Sequence, residues 1–194
     1  MVSPVFDLMT LFTVVMAGKG LDAQSPSNNF LKQIPEEVSR LSSSIDDMIW
    51  NIRPENDDLE NFFVRLRDHA AQTLQAQDIE LKIDFSQQNK VEVLPMDIRR
   101  NIFLIFKEAL HNITKHADCQ NVAIKVEVLK NALFIQIDDD GKGFDTKKRS
   151  TRNGLRNMTN RAAEVGGKIE IKSVIGEGTS LVLQIPIAPK KLII

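Results

Sequence analysis

The chain has 194 residues, enough for one domain plus an appendage. An apolar share of 42% can build a core, and 25 basic residues against 26 acidic ones leave no bulk charge to draw the chain to nucleic acid. The one cysteine, Cys119, excludes an internal disulfide and reads as a packed thiol in a reducing compartment.

The first residues, "VFDLMTLFTVVMAG", are apolar but too few to span a bilayer. Asp7 interrupts the run and no basic residue precedes it, so a short helix, or the remnant of a longer chain, fits it better than a signal peptide. "QSPSNN" (24–29) is polar and turn-rich and reads as a linker. From Phe30 to Ile52, Leu31, Ile34, Val38, Leu41, Ile45, Met48 and Ile52 recur at intervals of three and four, which predicts a helix. "RPEND" (53–57) breaks it, and a second helix is predicted from about Leu59 to Ala76. "IELKIDF" (79–85) alternates like a strand. After Pro95 a long helix is expected through His116. Two strands follow, "VAIKVEVL" (122–129) and "ALFIQID" (132–138), with a tight connection at Lys130–Asn131. A loop runs to about Asn153, then a helix ended by Gly166 and Gly167, then two strands joined by "IGEG". Helices on one side of a mixed, mostly antiparallel sheet make an α+β, two-layer sandwich.

Three constellations carry chemistry. On the helix at 95–116, Glu108, Asn112 and Lys115 are spaced four and three apart and are expected to share a face other than that of the apolar stripe Ile98, Ile102, Ile105, Ala109 and Ile113. A carboxamide oxygen suits a hard cation and an ammonium suits phosphate, although a solvated face with one charge pair would read the same way. In "IDDDGKGFD" (137–145), Asp139 has the parity of Leu133, Ile135 and Ile137, so it is expected on the core side. A carboxylate there needs donors, and an exocyclic amino group such as that of adenine would supply one. Gly141 and Gly143 are expected to let the backbone approach a ligand, and Asp138 and Asp140 to be simply solvated. The loop "DTKKRSTRNGL" carries Lys147, Lys148, Arg149 and Arg152 ahead of a helix start, where amides attract phosphate. "GEGT" (176–179) alone is only a hairpin turn.

Taken in order, these pieces resemble the ATP-binding domain of sensor histidine kinases, within the wider group of gyrase-, Hsp90- and MutL-type ATPases that share the Bergerat-type fold. "EALHNITKHA" resembles the N box, "DDGKGF" the first glycine box, "NGLRNMTNRA" the second and "GEGTSLVLQIP" the third. The match covers roughly 30–187 and is closest to the subfamily paired with helix-turn-helix response regulators. It implies a terminal segment and linker (1–29), a second dimerisation-type helix (30–54) and the ATPase domain (55–190).

The resemblance also implies roles for ATP and Mg²⁺. Asn112 would bind the metal. Glu108 would orient or activate the attacking group. Lys115 and His116 would lie near the phosphates. Asp139 would take the adenine amino hydrogen, with Gly141 and Gly143 in the pocket wall and Thr179 near the base. Gly154, with Leu155 behind it, would start the lid helix. Arg152 stands where the second box usually has its first glycine. The implied partners are a response regulator, reached through a phosphohistidine, and dimerisation helices or a second copy; the implied location is cytoplasmic, with a membrane involved only through an upstream segment.

The subfamily's phosphoacceptor histidine has no counterpart here. His69 lies on the helix after "WNIRPEND", inside the catalytic part, and His111 and His116 flank Asn112. Three functions therefore stay open: phosphoryl transfer to a histidine supplied outside this chain, a nucleotide-binding regulatory module without transfer, and an anti-sigma-type serine kinase.

Overall fold

The computed structural model describes residues 58–87, 94–129, 131–146 and 153–187. The expected helix over 30–52, the segment before it, and Lys147, Lys148, Arg149 and Arg152 lie outside the described residues.

Helix α1 spans Leu59–Gln75 and starts where the Asp58 carboxylate accepts the Glu60 amide at 3.0 Å. Its buried residues, Leu59, Phe62, Phe63, Leu66, Ala70 and Leu74, recur at three and four, so one stripe faces the core. Strand β1 (Glu80–Gln87) follows, and Phe85 on it stacks on Phe63 with ring centroids 5.1 Å apart. Helix α2 (Met96–Asn112) is the central helix and packs against α1 on one side and α3 (Asn153–Glu164) on the other. It buries Phe103, Phe106 and Leu110 as well as Ile102, Ile105 and Ala109 of the expected stripe, so its apolar face is wider than that stripe alone suggests.

Strands β2 (Asn121–Leu129), β3 (Ala132–Asp139), β4 (Lys168–Val174) and β5 (Gly178–Pro186) complete a five-stranded sheet in the order β1-β2-β3-β5-β4. Only β1–β2 is parallel, because α2 carries the chain back across the sheet between them; the other neighbours are antiparallel. Val122, Ile124, Val126 and Val128 on β2, Leu133, Ile135 and Ile137 on β3, and Leu181, Leu183 and Ile185 on β5 are buried on one face. The helices cover that face, which gives the expected α+β two-layer sandwich. Among the described residues no helix is long and apolar enough to cross a membrane.

One detail departs from the sequence expectation. The helix expected to run to His116 keeps α-helical form only to Asn112, then widens into a π-helical turn at Ile113–Ala117 that stops at Asp118, whose φ is 55°. His69 lies on α1 as expected, half-buried, its ring tilted against that of Phe103 with centroids 5.3 Å apart, and the Arg65 guanidinium lies 4.3 Å over the Phe103 ring.

Candidate functional site

The parity argument places Asp139 correctly. It ends β3 on the core side, directly opposite Thr179 of β5, at the rim of a cavity of about 260 Å³. Burial pushes its carboxyl above the usual carboxylate range. The Gly141 amide, at 3.0 Å, and the Thr179 amide and hydroxyl offset that push only in part. The donors on hand thus leave the ionised form under-compensated, so a further donor would be welcome.

The opposite wall comes from α2 and its π-helical turn: Ala109, Asn112, Ile113 and His116 line the same cavity. Asn112 Nδ2 is buried without a hydrogen-bond partner. An orphaned amide in a cavity wall, like an under-compensated carboxylate facing it, is the mark of a site built for a polar ligand. Leu155 and Met158 of α3, with Ile137, Ile171 and Leu181 from the sheet, supply the apolar remainder.

The three residues expected to share a face are divided. Asn112 lines the cavity with Asp139. Glu108, one turn earlier, instead lines a second cavity of about 290 Å³ between α2 and α3, together with Lys107, His111 and Arg161. Lys115 is exposed and outside the lining of either cavity. For Lys115 the physical reason is the π-helical turn, whose extra residue per turn rotates positions past Asn112 away from the register that ordinary helical spacing assigns them; Glu108 and Asn112 both precede it and simply border different cavities.

The two glycines of "DDGKGF" make close approaches, but to the protein's own backbone. A Cβ on Gly141 would collide with the Ala117 carbonyl, and one on Gly143 with the Val174 carbonyl. Gly141 is thus buried behind the wall while Gly143 forms part of it. Between them Lys142 is pinned twice, its amide donating to Ala117 O and its carbonyl accepting from Gly176 N, each at 2.8 Å. Ser173 Oγ accepts the Phe144 amide at 2.8 Å, donates to Gly178 O at 3.0 Å and lies 3.0 Å from Thr179 Oγ1. Loop 140–146 and the β4–β5 turn therefore form one braced unit beside Asp139.

Asp140 corrects the expectation of a merely solvated acid. Its Oδ1 accepts the Gln120 and Asn121 amides at 2.9 Å each, and its Oδ2 accepts Asn121 Nδ2 at 2.7 Å. These bonds, the Asn121 side chain foremost, hold its carboxyl below the usual range. A depressed carboxyl stabilises the fold above its unfolded value and loses that contribution as pH falls through its lowered folded value. Asp140→Ala is accordingly expected to lower the melting temperature at pH 7, with the gap to the parent closing below pH 3.8; thermal denaturation across pH checks this. Asp138 accepts Gln136 Nε2 at 2.8 Å.

Lys142, Phe144, Met158 and Ile171 are cavity residues that sequence reasoning did not single out. A signal existed for Met158: with Leu155 and Ala162 it lies at intervals of three and four on the inner face of α3. Cys119, near Asp139 and Asp140, has its thiol pushed up to about 11, first by burial and then by those two carboxylates, so it is a poor nucleophile.

The histidine kinase-, DNA gyrase B- and HSP90-like ATPase family matches residues 97–189, which contain both cavity walls. That match spans just under half of the chain, which over these residues resembles that ATPase family. The curated relatives it matches include sensor histidine kinases. The signal transduction histidine-protein kinase/phosphatase DegS of Brevibacillus brevis is 34% identical over 110 residues, 56% of this chain and 28% of DegS. The sensor histidine kinase LiaS of Bacillus subtilis (strain 168) is 30% identical over 110 residues, 56% of this chain and 31% of LiaS. The chain thus spans less than a third of the length of these two relatives. Among solved structures, the Erythrobacter litoralis EL346 blue-light activated histidine kinase superposes with a TM-score of 0.61 at 19% identity, over 84% of this chain and 60% of that one. The Acinetobacter baumannii histidine kinase AdeS gives 0.59 at 14% identity, over 96% of each. At those identities the superpositions speak for the fold alone. The matched residues and the superpositions agree on the two-layer fold described above.

Proposed function

We propose that the chain is the ATP·Mg²⁺-binding catalytic part of a two-component sensor histidine kinase, passing the γ-phosphoryl group to a histidine supplied outside it. In this reading residues 55–190 are the catalytic domain, 30–54 a dimerisation-type helix that pairs with kinase helices or a second copy, and a response regulator takes the phosphoryl group from the phosphohistidine. The observation that carries it is the pairing across one cavity of an under-compensated carboxylate, Asp139, with an orphaned carboxamide, Asn112.

Each residue then has a task. Asp139 accepts the adenine amino hydrogen, while Thr179 holds its carboxylate in place. Leu155 and Met158 keep water from the base and sugar. Asn112, turned to present Oδ1, is the protein ligand for magnesium, because a carboxamide oxygen in the cavity wall suits a hard cation. Magnesium, when bound, neutralises charge on the phosphate oxygens. His116 lines the cavity and so lies where the phosphates are to sit, while Lys115 is the neighbouring exposed cation on the same turn. Glu108 takes up or orients the proton of the incoming imidazole.

The test is to incubate the chain with γ-labelled ATP and Mg²⁺, with and without a separate protein carrying an acceptor-histidine helix. Acid-labile label on that protein, dependent on this chain, is expected. Nucleotide binding with no transfer under any condition would replace the reading with a regulatory module, and label on a serine with a serine kinase.

A further inference from the structure

The proton-accepting carboxylate of the proposed reaction, Glu108, does not line the cavity that holds Asn112 and Asp139. Glu108 is turned toward the first turn of the 12-residue helix α3. A Cβ built on Gly154 would overlap Glu108 Oε1 and lie 3.2 Å from its Cδ and 3.7 Å from its Cγ. All the atoms nearest that missing Cβ belong to this one side chain, so the space a residue at 154 would fill is taken by the Glu108 carboxylate. Glycine is among the poorest residues inside a helix, and this packing accounts for its presence at the second position of α3. The amino end of a helix also favours a carboxylate, so the contact is attractive as well as close.

We propose that Gly154 is a positioning residue for Glu108, seating its carboxylate against the start of α3 on the side of the α2–α3 groove. The groove lining adds Lys107, His111 and Arg161, and Met158 of α3 lines both this groove and the Asn112 cavity. An imidazole entering by the groove meets Glu108 there. Movement of α3 therefore carries two effects at once: it shifts the apolar wall of the nucleotide cavity and re-aims the acid. The catalytic meaning of this contact rests on the function proposed above; the contact itself does not.

The experiment is a cycle of the intact chain, Gly154→Ala, Glu108→Ala and the double variant, read first by melting temperature. With Glu108 present, Gly154→Ala is expected to raise the melting temperature less than it does with alanine at 108, because the carboxylate must first swing out of the space the methyl takes, whereas in the alanine background helix propensity acts alone. A shift of the same sign and size in both backgrounds overturns the proposal. The second reading is phosphoryl transfer to the supplied acceptor protein, alongside affinity for a non-hydrolysable ATP analogue. Gly154→Ala is expected to reduce transfer by about tenfold or more while changing analogue affinity by less than about threefold. The shorter acid in Gly154→Ala/Glu108→Asp is expected to recover part of that loss, and equal losses of transfer and affinity with no recovery overturn the positioning role. Undiminished transfer by Glu108→Ala would sink the assignment of Glu108 as the proton acceptor, an outcome separable from the melting cycle.

Discussion

Asp139→Asn is expected to weaken binding of a non-hydrolysable ATP analogue by more than about tenfold, about 1.4 kcal/mol, while the unliganded fold melts no lower than the parent. The two halves of this expectation have one cause. The carboxylate lies on the core side of β3, and burial raises its pKa despite the bonds from Gly141 and Thr179. Ionisation at neutral pH therefore works against the fold. The sign follows from linkage: a carboxyl raised on folding binds more protons in the native state, so stability declines as pH rises from the unfolded value of 3.8 through the raised one. Asparagine keeps the shape and the oxygen that accepts the Gly141 amide, yet carries no charge. It removes that decline and, with it, the full acceptor for a purine amino group. Calorimetric titration and melting curves at pH 4–8 check both halves. An unchanged dissociation constant would remove the base-binding role of Asp139, and a marked drop in melting temperature would show that its charge serves the fold instead.

Gly143→Ala is expected to be among the most damaging single-methyl changes in the described residues. Gly143 has φ +56°, in the left-handed region that costs a residue with a Cβ about 1–2 kcal/mol. Its Cβ would also collide with the Val174 carbonyl and come within 2.9 Å of Gly178 O. Both obstacles are backbone, so no side-chain rotation relieves them. Together the two effects should destabilise the domain by about 3 kcal/mol or more, a melting shift on the order of 10 °C. Gly176→Ala separates them, because Gly176 has φ +85° and nothing within 4 Å of an added Cβ. It is expected to show the conformational part alone. Equal losses for the two variants would mean that the approach to Val174 contributes nothing. Nucleotide affinity of Gly143→Ala should fall as well, since the displaced loop carries Lys142 and Phe144 in the cavity wall.

The fold was legible because its strands alternate cleanly and its helices keep a period near 3.6; Asp139 was found by the same parity, one step past Ile137. The elements from α1 to β5 match the expected ones within a few residues, and the gains at the site came from order along the chain rather than from any one motif. What stayed hidden depends on geometry that spacing cannot encode. Extending ideal helical rotation past Asn112 put Lys115 beside Glu108, whereas the π-helical turn at Ile113–Ala117 breaks that rotation. Glycine's lack of a side chain was legible at 141 and 143, but not what occupies the vacated space. That proved to be a carbonyl from 24 residues earlier at Gly141, and one from 31 residues later at Gly143. Asp140 looked solvated because the amides it caps, at Gln120 and Asn121, lie across the sheet in a strand whose pairing had first to be known.

The hydrogen-bonded brace from Lys142 to Gly176 and from Phe144 to Ser173 has a thermodynamic corollary. The half of the cavity beside Asp139 has surrendered its conformational freedom during folding, so little ordering entropy remains to be lost there when a ligand arrives. Affinity for the ring should then be governed by how well its outline and hydrogen-bond pattern match a mould already set, with poor fits rejected rather than accommodated.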